Sequence, residues 1–265
     1  MTFRTKQQGL SLVELLISMA ILGILLAVLG AFLVNNQKVT TSQITAATLE
    51  NDTRLAFLRM SDIISQAQYI YPLSQTLKIN GTDYTTGART LAVLVPRGIS
   101  YCTITSGTAN YCGFAFTVES RTPFAGILGP DGGSSGLALV ETKVVGLEWK
   151  QKDKPAQKAS LNTWLVDDAT TEYRFPITDS IDASKTNLMG SVQMAAYSDF
   201  DGFKLTPPDE SNLADPLGDA DDAEGLVAAV ESTLYLRRVT SGQTLQVERS
   251  NFVFSRAIPR NTLPK

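Results

Sequence analysis

From Leu10 to Val34 the chain runs apolar for 25 residues with one exception, the carboxylate of Glu14. As a helix rising about 1.5 Å per residue, this segment spans roughly 37 Å, more than the roughly 30 Å hydrocarbon core of a bilayer. It can therefore cross a membrane with some tilt. Glu14 is the anomaly, because an ionised acid near the centre of a membrane helix costs about 2.5 to 3.5 kcal/mol. A plain anchor would carry leucine there. A cut between Gly9 and Leu10 would create an amine four residues from Glu14, on the same helical face, or opposite the Glu14 of a neighbouring chain. The acid would then have its cation.

Two simpler readings account for less. A secretory signal peptide has an apolar core of about 7 to 15 residues followed by a small-residue cleavage site; this core is much longer, and nothing after Val34 resembles such a site. A signal anchor explains the length and the basic head but leaves the spacing of Gly9 and Glu14 to chance. Arg4, Lys6 and the terminal amine precede the span, and only Lys38 follows it closely, ahead of Glu50 and Asp52. The positive-inside bias puts Met1 in the cytoplasm and exports everything after Val34.

The run Gly9-Leu10-Ser11-Leu12-Val13-Glu14-Leu15-Leu16 resembles the type IV prepilin cleavage and methylation motif, whose usual form is G followed by F-T-L-V-E-L. The resemblance implies cleavage after Gly9 by a prepilin peptidase, N-methylation of Leu10, and Glu14 as the acid that pairs with an amine during filament assembly. It also implies other pilins as partners through this helix, and an assembly platform in a bacterial inner membrane. The single-pass subunit then moves into a pilus or pseudopilus.

From Asn35 to about Tyr69, Ile44, Ala47, Leu55, Leu58, Ile63, Ala67 and Ile70 recur at helical steps, with no glycine or proline before Pro72. This predicts an amphipathic helix continuing the membrane helix, with Leu55 to Ile70 docked on a head. Beyond Pro72, runs rich in Val, Ile, Thr and aromatics alternate with Gly, Asp, Pro and Ser. Thr90 to Val95, Gly113 to Val118, Leu137 to Lys143, Val144 to Lys150, Val230 to Val239, Thr244 to Arg249 and Asn251 to Ala257 read as antiparallel strands. The fold class expected is α+β. Its parts are a leader over 1–9, a membrane or filament-core helix over 10–34, an amphipathic helix over 35–71 and one β-rich head over 72–265.

Cys102 and Cys112 are the only cysteines and flank a hairpin-like segment around Ser106-Gly107. In an oxidising compartment they are expected to form a disulfide, whereas a reducing one would leave two thiols; metal or redox CxxC spacing is absent. Two insertions interrupt the strands. Gly126 to Gly136 reads as a flexible loop. Asp209 to Glu224 carries seven acids, which read as a solvated loop or, alternatively, a calcium site without EF-hand spacing.

Catalysis finds no support. The chain has no histidine, which removes Ser/His/Asp and Cys/His chemistry and histidine metal sites. Asp199 and Asp201 sit in Ser198-Asp199-Phe200-Asp201-Gly202, a turn-like setting, and no P-loop is present. No cofactor is expected. Net charge is −3, and losing Arg4 and Lys6 leaves 21 basic against 26 acidic residues, or −5. That balance gives no footprint for direct nucleic-acid binding.

Weaker similarities follow. Arg54, Phe57, Leu58 and Asp62 resemble the helix end of PilW/PulJ-type minor pilins, with Ser65 and Gln66 where that family often has arginine. Val144 to Trp149 and Leu226 to Asn261 are similar to its inner strand and closing strand pair. A helix-bending proline at Ala31 and a C-terminal disulfide loop, frequent in major pilins, are missing. The expected function is thus a minor pilin acting in pilus assembly or priming, adhesion, motility or DNA uptake. The alternatives are a J-type pseudopilin of type II secretion and, from another class, a membrane-anchored extracytoplasmic binding domain.

Overall fold

The computed structural model describes residues 11–67, 69–71, 73–74, 76–79, 81–98, 100–103, 111–129, 136–147, 170–196, 226–240 and 242–254. One helix dominates: α1, Leu12–Ser65, 54 residues and about 80 Å long. No break separates its apolar and amphipathic halves. Every residue from 11 to 41 is exposed. The head takes hold only beyond that point.

The buried face of α1 is Leu49, Thr53, Ala56, Phe57, Met60, Ile63 and Ile64. This corrects the predicted docking stripe, since Leu55 and Leu58 stand on the outside, 53 % and 55 % exposed. The reason is angular. At about 100° per residue, Leu58 lies roughly 140° around the helix from Ile63, so a stripe through both mixes two faces. Periodicity also predicts helix to about Tyr69, whereas α1 ends at Ser65 with Gln66 as its cap. Tyr69–Ile70 instead forms a short strand, β1, pairing with Val93 and Leu94. Sheet pairing wins there over helical continuation.

Ten strands follow the helix among the described residues. After β1 come β2 (Thr76–Ile79), β3 (Thr82–Thr85), β4 (Thr90–Pro96), β5 (Tyr111–Ser120), β6 (Leu137–Leu147), β7 (Thr170–Asp179), β8 (Asn187–Ala196), β9 (Leu226–Thr240) and β10 (Gln243–Phe254). An antiparallel five-stranded sheet runs β1-β4-β5-β6-β7, a three-stranded one runs β10-β9-β8, and β2-β3 is a hairpin. The α+β class read from the sequence is the observed one. Leu137–Leu147 is a single strand where two were predicted, and Gln243–Phe254 likewise. The Gly126 to Gly136 loop is partly helical: a 3₁₀ turn at Thr122–Phe124 leads into α2, Ala125–Leu128.

Strand β4 shows why the head has more than one layer. All seven of its residues are buried, a continuous apolar run rather than an alternating one. Leu91, Val93 and Val95 join Phe57, Met60 and Ile64 of α1 in the main core. Ala92 and Leu94 face the other way, into a second cluster with Tyr71, Leu77, Ile79 and Tyr111 under the β2-β3 hairpin. The main core also takes Leu188, Val230, Leu234 and Leu236 from the second sheet, so α1 and both large sheets share one interior. Burial pushes the Tyr111 phenol up to about 12.

A polar joint sits where β7 leaves the first sheet. Asp179 accepts from Arg238 at 2.6 Å and from Arg121 at 3.4 Å, and Arg238 also donates to Ser180. Ser180 is buried with φ 66°, a left-handed conformation costly for a non-glycine residue. Asp52 of α1 lies in the same field; burial is the main cause of its raised pKa, and Arg238 opposes the shift.

Candidate functional site

The candidate site has two parts, the N-terminal end of α1 and the mount that fixes its other end. At the first, Ser11 is the N-cap, extended at φ −69° and ψ 148°, and Glu14 is the third helical residue. The pair forms a reciprocal capping box. The Ser11 backbone N–H donates to Glu14 Oε2 at 2.9 Å, the Ser11 hydroxyl donates to the same oxygen at 3.0 Å, and the Glu14 N–H donates to Ser11 Oγ at 3.3 Å. Two orphan donors of the first turn are thereby satisfied, and the carboxylate sits at the positive end of the helix dipole. Gly9 and Leu10 lie outside the described residues.

Ser11 is the residue that sequence reasoning passed over. Its signal was present, since Ser11-Leu12-Val13-Glu14 is the S-x-x-E spacing of a capping box. Behind it, Leu12, Leu16, Met19, Ile24, Leu26, Phe32 and their neighbours are all exposed, so among the described residues nothing covers this apolar cylinder. The helix is long and apolar enough to cross a membrane.

At the mount, Arg59 lays its guanidinium on Glu141 of β6 with two hydrogen bonds, Nε to Oε2 at 2.8 Å and Nη2 to Oε1 at 2.7 Å. The Tyr173 hydroxyl of β7 donates to Glu141 Oε1 at 2.6 Å. The Glu141 side chain is only 3 % exposed and that of Arg59 34 %. Fork-on-carboxylate geometry makes this the strongest type of charge-assisted pair. It holds the Arg59 pKa above its ordinary value, first through the hydrogen bond to Glu141. Burial, then Glu141, keeps the Tyr173 phenol protonated well beyond its usual range.

Tyr101 completes the clasp. Its ring centroid lies 4.7 Å from the Arg59 guanidinium carbon, and its hydroxyl donates to Asp62 one turn further along α1. That hydrogen bond, then burial, raises the Tyr101 pKa. The next residue, Cys102, is joined to Cys112 of β5, and both are fully buried in the main core. The disulfide expected from the sequence is therefore present. Replacing both cysteines with alanine should lower stability by about 2 to 3 kcal/mol, because the closed loop is about ten residues long; urea unfolding of the full chain in detergent measures it.

The acidic stretch Asp209 to Glu224, the turn Ser198 to Gly202 and the residues 104–110 between the cysteines lie outside the described residues. Among the described residues no group of His, Cys, Asp and Glu is arranged to hold a metal ion. What the arrangement offers chemically is a carboxylate near the start of an apolar rod, with the rod joined to a head by a half-buried ion pair.

Residues 4–30 match the family described as the prokaryotic N-terminal methylation motif. No curated protein and no solved structure matches the chain. The motif is of the prepilin type, and with the long helix on an antiparallel β-rich head it supports the class of type IV pilin-like proteins and pseudopilins. The motif and the apolar helix fit a membrane-anchored protein.

Proposed function

We propose that the chain is a minor pilin subunit. A prepilin peptidase cuts it between Gly9 and Leu10, Leu10 is N-methylated, and the subunit waits in the bacterial inner membrane with its head outside the cytoplasm. It then enters a filament through α1, where Glu14 meets the Leu10 amine of a neighbour. The observation that carries this reading is the methylation motif over residues 4–30 at the start of a wholly exposed apolar helix. The placement of the cysteines favours a minor subunit over a major one.

The test is N-terminal mass analysis of the protein recovered from sheared filaments. The expected species begins at N-methyl-Leu10. An intact Met1 terminus in assembled material would overturn the reading.

A further inference from the structure

We infer that the Cys102–Cys112 disulfide is the latch of a strap on α1: its closure seats the Tyr101 ring over Arg59 and so fixes the end of the long helix to the sheet. Tyr101 touches α1 twice, with its ring 4.7 Å from the Arg59 guanidinium carbon and its hydroxyl donating to Asp62. It touches β5 once, edge-on to Phe114 with the ring centroids 6.4 Å apart. The neighbouring Cys102 is bonded to Cys112, which pairs with Val95 of β4 inside the five-stranded sheet. Consecutive Cα atoms lie about 3.8 Å apart, so the bond that places Cys102 also places Tyr101.

Tyr101 in turn acts on the ion pair. The guanidinium under its ring is the one that donates twice to Glu141. A ring on that face keeps water off a half-buried pair, and charges attract more strongly where water is excluded. Without the bond, a loop of about ten residues regains freedom that opposes every contact Tyr101 makes. Closure proceeds by exchange with a disulfide-bearing oxidant. The two thiols give up two electrons and two protons through a mixed disulfide, the Cys102–Cys112 bond forms, and the oxidant leaves as two thiols. The chain is synthesised with both thiols free, so α1 is firmly seated only after oxidation. Where that happens rests on the proposed export of the head; the coupling itself does not.

The test is amide exchange at residues 57–66, read by mass spectrometry on the full chain in detergent, where faster exchange reports easier opening of the helix end. The oxidised native chain is compared with Tyr101→Ala, with the Cys102→Ala and Cys112→Ala double variant, and with all three substitutions together. In the oxidised chain Tyr101→Ala should speed exchange about tenfold, the scale of a hydrogen bond to a charged group. In the cysteine-free chain the strap is already loose, and the same substitution should add less than about twofold. A tenfold effect in both backgrounds would overturn the inference, as would no effect in the oxidised chain. A second measurement needs no cysteine-free chain to fold. Each seat of Tyr101 shields the bond, so dithiothreitol should reduce the folded Tyr101→Ala chain about tenfold faster than the native one; equal rates would overturn the inference. Free thiols in protein recovered from cells, with the coupling intact in the purified chain, would remove the export reading and leave the strap.

Discussion

Glu14→Ala should leave cleavage after Gly9 and methylation of Leu10 intact while cutting recovery in filaments about 30-fold or more. The direction of each half follows from a different balance. Alanine is the best helix former and carries no charge, so the substitution makes α1 a better membrane helix, not a worse one. Loss of assembly therefore cannot be traced to failed insertion. Under the proposed pairing of Glu14 with a neighbour's amine, truncating one partner of a desolvated charge pair costs about 2 to 5 kcal/mol, part of it from the amine left buried and unpaired. That range corresponds to roughly 30-fold at its lower end. Quantitative immunodetection of sheared filaments against the membrane fraction reads the ratio. Equal recovery would mean that the charge is incidental and that α1 simply anchors the head.

The features legible in the sequence are those carried by local pattern. The apolar span, the glycine-to-glutamate spacing and the Val-rich strand Thr90–Pro96 each announce themselves within a few residues. So does the cysteine pair, whose closure spans only ten positions. Three of the strands left unread, β7, β2 and β3, fail for identifiable reasons. Strand β7 contains Pro176, which argues against a central strand; the structure tolerates it because, among the described residues, β7 is at the sheet edge and pairs only with β6. Strands β2 and β3 are four residues each, rich in Thr with Lys and Asp, and hold together because Leu77 and Ile79 cover the second face of β4. The helix face was misread because Leu55 and Leu58 are apolar yet point outward, and side-chain type alone does not say where the head sits. The Arg59–Glu141 pair joins positions 82 residues apart, and no local pattern connects them. Ser11 is a different case: its spacing is local, but the partner it offers Glu14 is a neutral hydroxyl and a backbone N–H, not a cation.

Arg59→Met should destabilise the head by about 3 to 4 kcal/mol, and Glu141→Gln by only about 1 to 2 kcal/mol. The two partners differ in what they leave behind. Without Arg59, the buried Glu141 carboxylate keeps, among the described residues, the Tyr173 hydroxyl as its side-chain donor, and an uncompensated buried charge is among the costliest single defects. Without the Glu141 charge, the Arg59 guanidinium is already 34 % exposed and turns towards water, while its stem keeps packing and its head keeps the Tyr101 ring. Methionine at 59 preserves most of the apolar stem, so the difference reports charge and hydrogen bonding more than packing. Urea unfolding of the full chain in detergent, followed by near-ultraviolet circular dichroism, gives both values. Equal losses for the two variants would mean that the pair behaves as a surface salt bridge and does not fix α1 to the head. The ordering matters for assembly because α1 carries Glu14 at one end and meets the head at the other. Arg59 adds a directional charge pair to the apolar face that seats the far end of the same 54-residue helix against the head.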